Sequence, residues 1–161
     1  MMPFKNILIP TDFSDSANKA LEYALSLAKT YQARLHLLHV FEPIIYYSDA
    51  PIGMPDVVEL EQGIRASAEQ SLNRLVETHI RSREAEFGAI PTDVILLQGN
   101  PYIEILRAAQ DRAIDLIIMA SHGRTGLEHI LMGSVTEKVV RKAPCPVLTV
   151  RVKGEFKIPD E

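Results

Sequence analysis

Residues 4–41 read FKNILIPTDFSDSANKALEYALSLAKTYQARLHLLHVF, and the spacing of hydrophobic residues along them decides the fold class. Phe4 to Pro10 is a short apolar run closed by proline. Asp12, Ser14 and Asp15 follow, with side chains that can accept from the free N–H groups at a helix start. From Asp15 to Gln32 the apolar residues Ala17, Ala20, Leu21, Ala24, Leu25, Ala28 and Tyr31 recur at steps of three and four, one stripe along a helix that faces a sheet. Leu35 to Phe41 is a second strand, and Ala33 and Arg34 leave room only for a tight connection.

The alternation continues to the end of the chain. Glu42 to Pro55 holds three prolines, one glycine and no period, so it reads as a loop, unusually apolar through Ile44, Ile45, Tyr46, Tyr47, Ile52 and Met54. Val57 to Phe87 carries Leu60, Ile64, Ala68, Leu72, Leu75, Val76 and Ile80 at helical spacing, and Gly88 stops it. Val94 to Leu97 is a third strand. Asn100 and Pro101 then supply a cap and a first helical residue for a helix through Arg112. Asp115 to Ala120 is a fourth strand, Gly133 to Lys142 a helix and Val147 to Val152 a fifth strand. Leu116 to Met119 are apolar at four consecutive positions, the mark of a parallel strand buried on both faces.

The expected architecture is a doubly wound α/β fold, a five-stranded parallel sheet in the order 3-2-1-4-5, since right-handed crossovers carry the chain outward from strand one and then back across it. Residues 1–153 form a single domain and residues 154–161 a polar C-terminal tail. At 161 residues and 47% hydrophobic, the chain can cover both faces of such a sheet.

Composition narrows the function. Seventeen basic residues against 21 acidic give a net charge of −4, with no broad attraction for nucleic acid or anionic lipid. Cys145 is the one cysteine, so no intrachain disulfide forms, and no Cys/His set has zinc spacing. Ile7 to Ile9 is too brief for a signal-peptide core or a membrane span, and a cytoplasmic location is the expectation.

In open α/β sheets a ligand sits beyond the carboxyl ends of the strands where their order reverses. Here that point lies between strands one and four, at Pro10-Thr11-Asp12 and Ala120-Ser121-His122-Gly123. The following segment, SHGRTGLEHILMGSVT at 121–136, has glycines at 123, 126 and 133. The last of these starts a helix beside Ser134 and Thr136, a setting whose N–H groups and dipole suit phosphate. A bland reading, glycines as turns and Ser134 as a cap, fits the same residues. Arg124 could add charge or merely be solvated. His122 and His129 make a poor metal pair, solvated loop positions or a phosphate contact by His122 fitting better, and Cys145, between Pro144 and Pro146, reads as structural.

Four longer matches then stand out: ILIPTDFS at 7–14, MASHGRTG at 119–126, GSVTEKVV at 133–140 and APCPVL at 143–148. In these the sequence resembles the universal stress protein family over residues 3–152. The ATP-binding branch of that family has Gly-x-x-Gly, nine residues, then Gly-Ser or Gly-Thr. This chain has Gly123, the nine residues Arg124 to Met132, and Gly133-Ser134, with Ala120 in place of the first glycine. The resemblance implies a Rossmann-like, adenine nucleotide alpha hydrolase-like fold that takes ATP with Mg or Mn. It implies that Gly123, Gly133, Ser134 and Val135 hold the phosphates, that Asp12 lies by the nucleoside and any metal, and that Val40 offers backbone to adenine. Pro10, Thr11, Met119, Ala120, Ser121, His122, Arg124 and Thr136 complete the ATP-binding set. It also implies a homodimer through the last strand and an unidentified protein partner.

An enzyme reading finds little support in the residues. There is no Gly-x-x-x-x-Gly-Lys-Ser/Thr, no second aspartate two residues after Asp12, and Gln98-Gly99 stand where a receiver domain would place its phospho-acceptor. An adenylyl transferase would want a histidine signature in the first turn, and Pro10 to Asp15 has none. No catalytic residue is expected, and ATP turnover is at most slow. The alternative is a nucleotide-free interaction module of the same family. The loop Ile44 to Met54 has two roles open to it, closing over a nucleotide or packing against a partner subunit or the long helix.

Overall fold

The computed structural model describes residues 4–45, 56–122 and 132–151. Strand β1 (Asn6–Pro10) is bonded along both edges, to β2 (Arg34–Phe41) on one side and β4 (Leu116–Ala120) on the other. Ile7, Leu8 and Ile9 in its middle have no exposed surface. β3 (Thr92–Gln98) pairs with β2, and β5 (Val147–Val150) with β4. Every pairing is parallel and the order is β3-β2-β1-β4-β5, the arrangement that the alternation of elements called for.

Two cores result, because a buried strand sends alternate side chains to opposite faces. Ile7, Ile9, Leu35, Leu37 and Ile118 meet Ala20, Leu21, Ala24 and Leu25 of α1 (Asp15–Tyr31) and Leu72 and Leu75 of α2 (Val57–Leu75). Leu8, Leu38, Ile117 and Met119 meet Ile105, Ala108 and Ala109 of α4 (Pro101–Asp111) and Val139 of α5 (Ser134–Lys142).

The helix starts follow their capping residues. Ser14 Oγ accepts from the Ala17 N–H at 3.1 Å, and Asp56 Oδ1 from the Val58 N–H at 3.1 Å. Asn100 sits at the cap position of α4 but makes no side-chain capping bond there. Next to it, Gly99 has φ of 153°, and a Cβ on it would lie 2.9 Å from Cγ of Glu104, so the turn out of β3 takes glycine.

The long helix expected from Val57 to Phe87 is not uniform. After α2 the path widens into a π turn at Val76–Ile80, tightens into a 3₁₀ turn at Arg81–Arg83, and ends as the short α3 (Glu84–Phe87) before Gly88 at φ 80°. The Thr78 hydroxyl donates to the Arg74 carbonyl and the Ser82 hydroxyl to the Thr78 carbonyl, back-bonding that bends a helix. Val76 and Ile80, at the two ends of the π turn, are both buried. At the other end, Leu60 and Ile64 remain exposed although they continue the apolar stripe. Among the described residues, no helix is long and apolar enough to cross a membrane.

The amino ends of the strands carry a polar cluster of their own. Asp115 Oδ2 accepts from the backbone N–H groups of Lys5 and Asn6 at 2.8 and 2.9 Å, which ties the start of β1 to the start of β4. Arg34 pairs with Asp93 at 2.9 Å. His36 is buried between them, Nε2 lying 3.2 Å from Asn6 Oδ1 and Nδ1 3.4 Å from Asp93 Oδ2. Nδ1 makes no hydrogen bond at that distance. Burial lowers the His36 pKa; Asp93 opposes the shift, and Arg112 and Arg34 reinforce it. The folded state therefore resists a proton that the unfolded chain accepts near pH 6.5. Stability is full above that value and falls as pH drops below it. Urea unfolding of the parent and of His36→Leu at about pH 7.5 and about pH 5.5 checks this, because the variant lacks the imidazole whose protonation the fold resists. The parent is expected to lose more stability on acidification than the variant, and equal losses would show that His36 is not the group responsible.

Candidate functional site

The carboxyl ends of β1, β2 and β4 and the first turns of α1, α4 and α5 enclose a cavity of about 290 Å³. This is close to the lower end of the range usual for small-molecule sites. It lies between β1 and β4, where the strand order reverses.

The floor and one wall come from β1 and β2. Pro10, Thr11 and Asp12 leave β1, and the Thr11 N–H still bonds the Leu38 carbonyl at 2.8 Å, one residue beyond the strand. The turn then folds on itself: the Phe13 N–H donates to Thr11 Oγ1 and the Ser14 N–H to Asp12 Oδ1, both at 3.0 Å. Asp12 borders the cavity with one oxygen so engaged. Leu38 and Val40 line the wall from β2, and Ile105 and Pro101 from α4. These apolar surfaces suit a flat, weakly polar ring better than an ion.

The opposite wall is the start of α5. Gly133, at the cap position with φ −68° and ψ 153°, brings no side chain to the first-turn N–H groups, and Ser134, Val135 and Thr136 follow it on the cavity surface. A helix N-terminus without a capping side chain presents free donors and the positive end of a dipole. This is a place for an anion. Its position is fixed from behind. The Gly133 N–H donates to the Ser121 carbonyl at 2.7 Å, and the Ser121 N–H to the Val150 carbonyl at 2.9 Å. The Thr136 hydroxyl, fully inside, donates to the Ala120 carbonyl at 2.9 Å.

Of the residues singled out from sequence, Pro10, Thr11, Asp12, Val40, Met119, Ala120, His122, Gly133, Ser134, Val135 and Thr136 meet around this cavity. Ser121 does not line it. It is buried, hydrogen-bonded to His122 Nδ1 at 2.9 Å, and links β5 to α5 as described above. Gly123 and Arg124 lie outside the described residues, as do Gly126 and His129. Ala120 is not among the residues at positive φ, and its side chain belongs to the core packed under α1. Alanine at the position of the first glycine therefore meets no conformational obstacle. The lining also includes Ala17, Leu38, His39, Pro101 and Ile105, which the sequence reading passed over. The signal for Pro101 and Ile105 was the predicted start of a helix just after strand three, since the starts of α1, α4 and α5 all border the crevice.

The universal stress protein family model matches residues 3–151. The chain belongs to the universal stress protein family. Universal stress protein MJ0577 of Methanocaldococcus jannaschii is 36% identical to it over 158 residues, covering 94% of this chain and 97% of that protein. The solved structure of MJ0577 superposes with a TM-score of 0.75 at 33% identity, over 96% of this chain and all of that one. Universal stress protein UspA from Lactobacillus plantarum gives a TM-score of 0.79 at 29% identity, over 94% of this chain and all of that one. Two neighbours at 21% identity share the fold: a universal stress protein in complex with cAMP at a TM-score of 0.67, covering 93% of this chain and 98% of that one, and an Arabidopsis thaliana family member with AMP bound at 0.59, covering 92% of each.

The bond from Thr136 into the Ala120 carbonyl gives this universal stress protein a test of how its cavity wall is held. Thr136→Val removes the donor and leaves that carbonyl buried and unpaired, a loss of about 1–3 kcal/mol. The urea midpoint is expected to fall accordingly without change in m-value, and an unchanged midpoint would show that the bond does not support α5.

Proposed function

We propose that this universal stress protein binds ATP and acts as a homodimeric regulatory module in the cytoplasm, hydrolysing ATP at most slowly. The observation that carries the reading is that the uncapped start of α5 and the carboxylate of Asp12 border one cavity at the point of strand reversal. Phosphates would take the N–H groups of Ser134 and Val135, and the adenine would lie along Leu38 and Val40. The nucleotides held by the cAMP and AMP complexes share that adenine.

A divalent metal fits only as part of such a complex. Among the described residues, no cluster of three or more His, Cys, Asp or Glu could hold one alone. Mg or Mn would be shared between the phosphates and Asp12, and would neutralise phosphate charge. Asp12 is the one carboxylate among the described lining residues, which supports a reading in which turnover is slow at most.

The dimer would form through β5, which occupies one edge of the sheet and leaves Leu148 38% exposed. Light scattering at micromolar concentration is expected to return twice the 18.0 kDa chain mass; the monomer mass would overturn this part of the reading.

Isothermal titration of ATP with magnesium tests the site. The parent should bind, and Gly133→Asp, which places a negative charge at the start of α5, should reduce affinity by at least about tenfold through repulsion and loss of close approach. Absence of binding by a folded parent would instead favour the nucleotide-free interaction module.

A further inference from the structure

We propose that His39 is a positioning residue for the nucleotide site: it clamps the β1–α1 turn to the sheet and so sets where the Asp12 carboxylate sits. This deepens the ATP-binding reading and rests on it.

The turn is strained. Phe13 has φ of 64°, a left-handed conformation rare for a bulky aromatic residue. Gln32 at 54° and Ala113 at 47° share that region, but each follows the end of a helix, where it is the usual way to terminate one. Phe13 precedes a helix and has no such role. A strained residue persists only where its surroundings over-determine it, and such residues gather at ligand sites.

The bonds inside the turn do not supply that constraint. Phe13 N–H to Thr11 Oγ1 and Ser14 N–H to Asp12 Oδ1 each span two residues, so they move with the turn. The Phe13 ring packs against the core under α1, and the polar attachment to the sheet comes from β2. The Thr11 N–H reaches the Leu38 carbonyl at 2.8 Å, and His39 Nδ1 lies 2.7 Å from the Thr11 carbonyl. A carbonyl only accepts, so Nδ1 bears the proton. The same imidazole packs against the Phe13 ring, centroids 4.4 Å apart and planes 39° from parallel. One side chain thus holds the residue before Asp12 by a hydrogen bond and the residue after it by its face. Asp12 is fixed between them.

The two contacts separate by substitution. His39→Phe keeps a ring against Phe13 and loses the donor; His39→Gln keeps an N–H donor and loses the ring. With both proteins folded, the dissociation constant for ATP with magnesium is expected to rise about tenfold in His39→Phe, the worth of one part-buried hydrogen bond. It should return most of the way to the parent value in His39→Gln. Equal affinity in the parent and His39→Phe would overturn the proposal, and so would equal losses in both variants, since restoring the donor would then have restored nothing. The unmodified protein gives an independent check without ATP. Nitrogen-15 spectra should show His39 protonated at Nδ1 with that proton protected from exchange, and protonation at Nε2 alone would overturn the clamp even if a variant failed to fold. Failure of the parent to bind ATP would overturn the functional reading and this one with it, whereas binding by the parent with no change in His39→Phe sinks this one alone.

Discussion

The parallel pairing of β1 on both of its edges governs the rest of the molecule. A strand with parallel neighbours on each side needs crossovers over both faces, since right-handed crossovers that move in opposite directions across the sheet pass over opposite faces. Layers of helix on the two faces follow, and so does a crevice where the chains diverge. The side-chain requirement is equally strict: Ile7, Leu8 and Ile9 contribute to both cores in turn, and none has any contact with solvent. A polar residue at any of the three would be buried without a partner.

The crevice draws its chemistry from backbone more than from side chains. Gly133 leaves the first N–H groups of α5 uncapped, while the bonds through Ser121 and Thr136 hold that helix start against the ends of β4 and β5. The β1–α1 turn is handled in the opposite manner, with Ser14 capping α1 and the backbone at Phe13 forced into an unfavourable region. One wall therefore offers free donors and the other a carboxylate. An anionic ligand carrying a cation, as in the proposed complex with ATP, would meet both.

Much of this was legible in the sequence because it depends on local spacing. The period of three and four from Ala17 to Tyr31 and the unbroken apolar run at Leu116 to Met119 each admit one element, and the order of those elements fixed the topology and the crevice. The glycine pattern then located the α5 wall. What escaped depends on contacts distant in sequence. His39 looks like any residue of a strand until its ring is seen beneath Phe13, 26 positions earlier. Ser121 belongs by position to the ligand loop, yet its hydrogen bonds turn it toward β5 and α5. The π turn at Val76–Ile80 keeps the apolar period of a continuous helix, and the hydroxyls of Thr78 and Ser82 that accompany it sit on the solvent side of the pattern.

All carboxyl ends of the strands lie at one rim of the sheet, and the cluster of Asn6, Arg34, His36, Asp93 and Asp115 lies at the other. Five residues of strand put roughly 16 Å between the rims. Effects on stability add when sites are more than about 7–10 Å apart and share no partner. The amino rim is thus a region where the acid tolerance and thermal limit of this protein can drift through substitution, generation after generation, while the carboxyl rim keeps its shape.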